Sequence, residues 1–153
     1  MDVRNVKALP FNEKGTRDWS NGTFSCFEDP ATFIVGYFLP CVLYGKNKTR
    51  REALEQTGRP HAEGGEVLGN DTITYAALNC FGCGWILGMS NREATRGRYR
   101  IDGDSASDCF LSCCCAPCSL TQESRELELE EQALGATGGG FSSLMGPKKV
   151  SVC

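Results

Sequence analysis

Histidine is nearly absent from this chain. His61 is the only one in 153 residues, so no site can rest on two imidazoles. It sits in a Gly-rich stretch, Arg59-Pro-His-Ala-Glu-Gly-Gly65, which reads as a surface loop. No Ser-centred elbow, phosphate loop or dinucleotide fingerprint occurs. A thiol nucleophile would need a nearby base, and the acidic segment around the clustered cysteines raises thiol pKa. The chain is therefore read as not an enzyme. Basic excess is also missing: the net charge is −3 and the pI near 5.2, which argues against nucleic acid as a partner. No alternating apolar pattern marks a strand. No apolar run opens the chain, since Asp2, Arg4, Lys7, Glu13, Lys14, Arg17 and Asp18 fall within the first 20 residues. That predicts a cytosol-facing protein with reduced thiols.

Two long segments lack charge altogether. Pro30–Gly45 is 16 residues and Thr72–Asn91 is 20 residues without Asp, Glu, Lys or Arg. The second just reaches bilayer-spanning length. Basic residues flank both runs on every side: Arg4 to Arg17 before the first, Lys46 to Arg59 between them, Arg92 to Arg100 after the second. A two-span hairpin would put the middle cluster across the membrane from the others, against the positive-inside bias. Runs that dip into one leaflet, or that pack as a core, fit better.

Charge is distributed in blocks. Residues 1–100 carry 13 basic and 11 acidic residues, residues 101–134 one Arg against eight acids, and residues 135–153 two lysines and no acid. This divides the chain into an N-terminal segment 1–18, a Cys-rich domain 19–134 and a flexible tail 135–153. The fold expected is mainly α: three kinked helices, roughly 30–57, 71–99 and 105–133, with an irregular N-terminal arm. Asp29-Pro30 starts the first helix, Pro40 kinks it, and Gly58 and Pro60 end it. Asn70 or Asp71 caps the second, and Ser105 or Ser107 the third, which Pro117 kinks. Leu120, Leu127 and Leu134 form one narrow stripe, so the acidic stretch Gln122–Gln132 reads as mostly solvated and as a candidate partner surface.

What the chain has in excess is cysteine, ten in all. They stand at 26, 41, 80, 83, 109, 113, 114, 115, 118 and 153, half of them between Cys109 and Cys118. On a continuous helix Cys114 and Cys118, or Cys115 and Cys118, share a face, and Cys109 and Cys113 repeat the spacing. Clustered thiolates suit soft metals such as zinc, cadmium or copper(I). Free thiols packing as small hydrophobes are the competing account, strongest for Cys80, and acylation of Cys113–Cys115 is a second. The arm carrying Trp19, Phe24 and Phe27 has aromatic surface to bury, which predicts that it folds back and brings Cys26 to Cys114, Cys115 or Cys118.

Four stretches resemble a known family. They are Trp19-Ser-Asn-Gly-Thr-Phe-Ser-Cys26-Phe, Leu39-Pro-Cys41-Val-Leu-Tyr-Gly45, Arg96-Gly-Arg-Tyr-Arg-Ile-Asp-Gly103, and Cys114-Cys-Ala-Pro-Cys118-Ser-Leu-Thr-Gln122-Glu-Ser-Arg-Glu126. Over about residues 19–130 they look like the placenta-specific-eight / plant cadmium resistance family of Cys-rich proteins. The resemblance implies a plasma-membrane association through two hydrophobic segments, and links to cadmium resistance, zinc transport or control of cell number. One family thiol is replaced at Leu39 and another at Thr121, while Cys26, Cys41, Cys109, Cys114, Cys115 and Cys118 match. Those six are the candidate metal ligands, with zinc as the candidate cofactor. The expected partners are a membrane, reached peripherally, re-entrantly or integrally, and a second copy of the chain. The alternative is a non-enzymatic regulatory or interaction module whose thiols hold a structural zinc or a disulfide.

Overall fold

A computed structural model describes residues 2–135. The tail from 136 on, with Cys153, lies outside them. Among the described residues the chain is helical, with one isolated parallel bridge between Arg17 and Ile101. A 3-10 helix, Thr23–Glu28, precedes α1 (Pro30–Phe38), α2 (Pro40–Thr57), α3 (Asn70–Cys80), α4 (Gly84–Tyr99), α5 (Ser105–Cys114) and α6 (Ala116–Ala133).

The mainly helical class stands, but the count of three kinked helices does not. Each of the three expected segments contains two helices. The breaks fall at Leu39, at Phe81–Cys83 and at Cys115. Pro40 and Pro117 sit at the first or second position of the following helix, where a missing N–H costs nothing. Leu39 and Cys115 share nearly one backbone conformation, φ −131°, ψ 60° and φ −141°, ψ 63°. The middle turn uses Gly82 at φ +73°, a left-handed position that favours glycine. Sequence shows where a helix must stop; how sharply the chain then turns is set by what the next helix packs against.

The caps follow local chemistry. The Asp29 carboxylate accepts from Thr32 N–H with Pro30 behind it. Gly58 closes α2 in the left-handed conformation. Asp104, rather than either serine, caps α5 by accepting from Ser107 N–H at 2.8 Å. At α3 the cap position falls to Gly69, and Asp71 instead accepts from the Lys48 ammonium at 2.6 Å.

Contacts fix the directions of the helices. Tyr44 stacks on Tyr75 with ring centres 4.6 Å apart, and Lys48 meets Asp71, so α2 and α3 are antiparallel. Arg92 meets Asp108 while Gly88 faces Ser112, so α4 and α5 are antiparallel. Asn47 bonds the Leu120 carbonyl and Arg50 bonds Glu131, so α2 and α6 run together. A methyl placed on Gly36 would stand 3.3 Å from the Pro117 Cα, which brings the first and third turns side by side. The three turns therefore lie at one end of the bundle. No helix among the described residues is long and apolar enough to cross a membrane. The uncharged run 72–91 is divided by the turn at Gly82, and the run 30–45 by the break at Leu39.

The core has two apolar clusters. Val35, Leu43, Tyr44, Tyr75 and Leu120 lie toward the turns. Leu54, Tyr99, Ile101 and Leu127 lie at the far end, with Trp19 packed against them. Between them runs α6, and here the sequence reading needs its largest correction. The acidic stretch is not a solvated face. Ser119, Leu120, Thr121, Gln122, Glu123, Ser124, Glu126, Leu127, Glu130 and Glu131 are all buried. α6 is packed by α1, α2, α4, α5 and the 3-10 helix, which leaves an edge of Arg125, Glu128, Leu129 and Gln132 half-buried.

Candidate functional site

Two features carry chemistry: a ladder of buried ion pairs along α6, and a sulfur cluster at its first turn. The acids of α6 are matched by arginines from three other elements. Arg17 of the arm donates to Glu126 at 2.7 Å, and the Ser20 hydroxyl donates to the same carboxylate. Arg50 of α2 holds Glu131 with two bonds, 2.9 and 2.7 Å, and also donates to the Ser124 hydroxyl. Arg98 of α4 holds Glu130 the same way, and the Tyr99 hydroxyl donates to it as well. Burial, followed by the charge of Glu130, pushes the Tyr99 hydroxyl well above its ordinary pKa. Arg92 reaches Asp108, Ser119 and Gln122 and lies over the Trp19 ring at 4.3 Å. Paired guanidinium–carboxylate bonds of this kind are strong and orientation-specific.

Glu123 is the exception. It is fully buried, accepts from the Asn91 amide at 2.8 Å and from Thr95, and has one oxygen without a hydrogen-bond partner. The charges of Arg92 from α4 and Arg51 from α2 act on it, and its own charge is felt by Tyr44 of α2 and Tyr75 of α3. Desolvation by burial pushes its carboxyl up to about 7, against an ordinary 4.5, despite the nearby arginines. A raised carboxyl pKa means that the folded chain holds the proton more tightly than the unfolded one. The carboxyl is therefore cost-free below pH 4.5, and its penalty grows as pH rises toward 7. Glu123→Gln keeps the shape and removes the charge. It is expected to melt higher than wild type at pH 8, by up to about 3 kcal/mol of stability, and to match it near pH 5. A difference that does not change with pH would contradict this; melting curves across that range decide it.

The sulfur cluster is built by three short pieces. The 3-10 helix carries Cys26, which is 1% exposed, onto the start of α6. Cys115 precedes α6, and Cys118 lies in its first turn, 3% exposed. The Cys26 and Cys118 sulfurs are 3.4 Å apart, and Cys115 and Cys118 are joined as a disulfide. So Cys26 does approach the CCxxC block, and the arm is the part that carries it there. Gln122 donates to the Asn21 carbonyl, and Arg125 to the Ser25 carbonyl, fixing the arm on α6. Burial pushes the Cys26 thiol up, opposed by backbone hydrogen bonds and by Arg125. The expectation that Phe24 and Phe27 would be buried with the arm is overturned: they are 79% and 64% exposed, and only Trp19 is taken into the core's edge.

The other candidate ligands lie elsewhere. Cys114 is exposed, and the break at Cys115 separates it from Cys118, so the i, i+4 face assumed for that pair does not form. Cys109 is half-buried on α5. Cys41 packs against the Tyr44–Tyr75 cluster. All three are free thiols. Among the described residues no group of three or more His, Cys, Asp or Glu side chains is arranged to hold a metal ion in this disulfide state. Sequence reasoning missed the arginine–acid ladder entirely. The available signal was arithmetic: one segment with eight acids and one Arg needs its partners from outside itself.

The site and fold together define a cysteine-rich helical protein with an ionic interior and an apolar end. The family model described as PLAC8 matches residues 19–126, and the chain belongs to that family. It is 30% identical over 129 residues to Protein PLANT CADMIUM RESISTANCE 2 of Arabidopsis thaliana, covering 84% of this chain and 76% of the relative. It is 31% identical over 120 residues to Protein PLANT CADMIUM RESISTANCE 9 of the same plant, covering 76% and 74%. Cell number regulator 7 of Zea mays is 28% identical over 139 residues, covering 85% and 72%. No solved structure matches the chain.

Proposed function

We propose that this chain is a membrane-associated protein that binds a soft divalent ion, zinc or cadmium, as cargo through the thiolates of Cys26, Cys115 and Cys118. The observation that supports this most is the meeting of three sulfurs at one point, two of them buried and that of Cys115 half-buried. Reduction of the Cys115–Cys118 bond frees two thiols beside Cys26. Sulfurs bound to one zinc at about 2.3 Å stand somewhat under 4 Å from each other, the separation already present between Cys26 and Cys118. Binding displaces thiol protons, so affinity falls with acid. Three thiolates leave a fourth position open to an exchanging ligand, which suits transfer better than permanent storage. The relatives named for cadmium resistance agree with this choice of cargo. The exposed aromatics at the turn end support the membrane half of the reading.

The Cys115–Cys118 disulfide favours one second reading: a regulatory module, in keeping with the cell number regulators, closed by that bond and carrying no exchangeable metal. Cadmium titration of the reduced protein separates the two. We expect a thiolate-to-cadmium charge-transfer band that saturates at one ion per chain and is lost to chelator during dialysis. No band in the reduced protein, or an ion that resists chelator, would reject the cargo reading.

A further inference from the structure

Each of the six α-helices among the described residues is uncharged toward the same end. All of α1 lacks charge, as do Pro40–Gly45 of α2, Thr72–Cys80 of α3, Gly84–Asn91 of α4, Cys109–Cys114 of α5 and Ala116–Gln122 of α6. These stretches are six to nine residues long, or about 9–13 Å at 1.5 Å per residue. They form a slab of nearly even depth with the three turns at its outer face. The slab's surface is uncharged, and large apolar side chains outweigh its exposed Thr74, Asn79 and Ser90. Phe38 is 72% exposed, Phe81 83% and Phe110 65%, with Tyr37, Leu39 and Ile86 also exposed around them. The ion pairs begin just beneath, at Arg92–Asp108 and Lys48–Asp71.

We propose that this end is seated in one leaflet of a bilayer to a depth of about 9–13 Å, with all three turns inserted and the ionic ladder and the loops at the opposite end outside. The proposal rests on the membrane half of the function proposed above and specifies its topology. A leaflet is the occupant the slab fits. Its hydrocarbon is about 15 Å deep, half of a 30 Å core. A protein partner would ask for a patch with a polar rim, whereas here six separate helices lose their charge at one level. The backbone at the turns is kept short, and the helices on either side satisfy their own hydrogen bonds, as an apolar medium requires. Because the surface has no charge, binding needs no anionic lipid and is insensitive to salt.

The two tryptophans are built-in depth probes. Trp85 lies in the slab at the start of α4, and Trp19 lies under Arg92 in the ionic region. The test uses the full chain with neutral phosphatidylcholine vesicles. Wild type is expected to float with them at low and high salt. Brominated acyl chains should quench the fluorescence of Trp19→Phe, which retains Trp85, and leave that of Trp85→Phe unaffected. A glutamyl endopeptidase added outside should cut every vesicle-bound molecule at both Glu13 and Glu63, which lie on the arm and in the loop after α2. Phe38→Glu, Phe81→Glu and Phe110→Glu should each cut the floated fraction about tenfold, with helix content and the cadmium band unchanged. Leu68→Glu, equally exposed at the other end, should change nothing. No flotation of wild type, or a dimer in solution that the same three variants dissociate, would overturn membrane association as a whole. Flotation with Trp85 unquenched, or with one of the Glu13 and Glu63 sites protected, would overturn the one-leaflet seat alone.

Discussion

Arg50→Ala is expected to lose about 3–5 kcal/mol of stability, a large part of the 5–15 kcal/mol that holds an ordinary domain together. For a chain of this size that is a fall in Tm on the order of 10–20 °C. The argument rests on what the substitution leaves behind. Arg50 is fully buried and gives two bonds to Glu131, which is 1% exposed, and one to the Ser124 hydroxyl. Removing the guanidinium takes two charge-assisted bonds from a carboxylate that is buried from water, and that penalty exceeds the net worth of the pair. The double variant Arg50→Leu with Glu131→Leu removes both charges and should recover most of the loss, since paired apolar replacements of buried ion pairs are often neutral. Urea denaturation of the two single variants and the double variant measures the coupling. If Arg50→Ala costs under about 1 kcal/mol, the pair is exposed in solution and the ladder is not a structural element.

The same ladder shows what a sequence can and cannot reveal. The three helical segments 30–57, 71–99 and 105–133 were legible because caps and breakers are local: Asp29-Pro30, Gly58 and the two prolines act within a turn of where they stand. That each segment turns at its middle was not legible. Leu39 and Cys115 leave the helix for a single residue, and whether this yields a kink or a sharp turn depends on the neighbours. The burial of α6 was hidden for a related reason. Glu126 finds its partner 109 residues earlier in Arg17, Glu131 finds Arg50 81 residues earlier, and Asp108 and Glu130 find theirs on α4. A run of acids looks solvated until those arginines are placed. The sulfur cluster lay in between. The approach of Cys26 to the CCxxC block was expected from an aromatic arm needing a surface, of which only Trp19 is taken up, and Cys114 was assigned to a helical face that the break at Cys115 removes.

The second large expected effect is on metal-linked stability. In the reduced wild type, zinc at a hundredfold excess over its Kd should add about 2.7 kcal/mol, because the folded state alone presents the thiolates together. That corresponds to a rise in Tm on the order of 10 °C. Cys118→Ser should abolish the rise. Cys118 is the central sulfur, 3.4 Å from Cys26 and within bonding reach of Cys115, so the two remaining thiols keep neither their number nor their geometry. The metal-free protein will also suffer, since a hydroxyl at a site 3% exposed costs roughly 1–3 kcal/mol if left without a partner. The informative quantity is therefore the zinc-induced shift, taken within each variant, and not the melting temperature itself. Cys26→Ser should behave like Cys118→Ser. Cys113→Ser, an exposed free thiol, should keep the full shift, and so should Cys41→Ser, whose thiol packs against Tyr75 and its neighbours. Without reductant the shift should vanish even in wild type, because the Cys115–Cys118 bond removes two ligands at once. A full zinc shift in Cys118→Ser, or one that depends on Cys41, would place the metal at other thiols and leave the Cys26–Cys115–Cys118 trio a structural sulfur cluster.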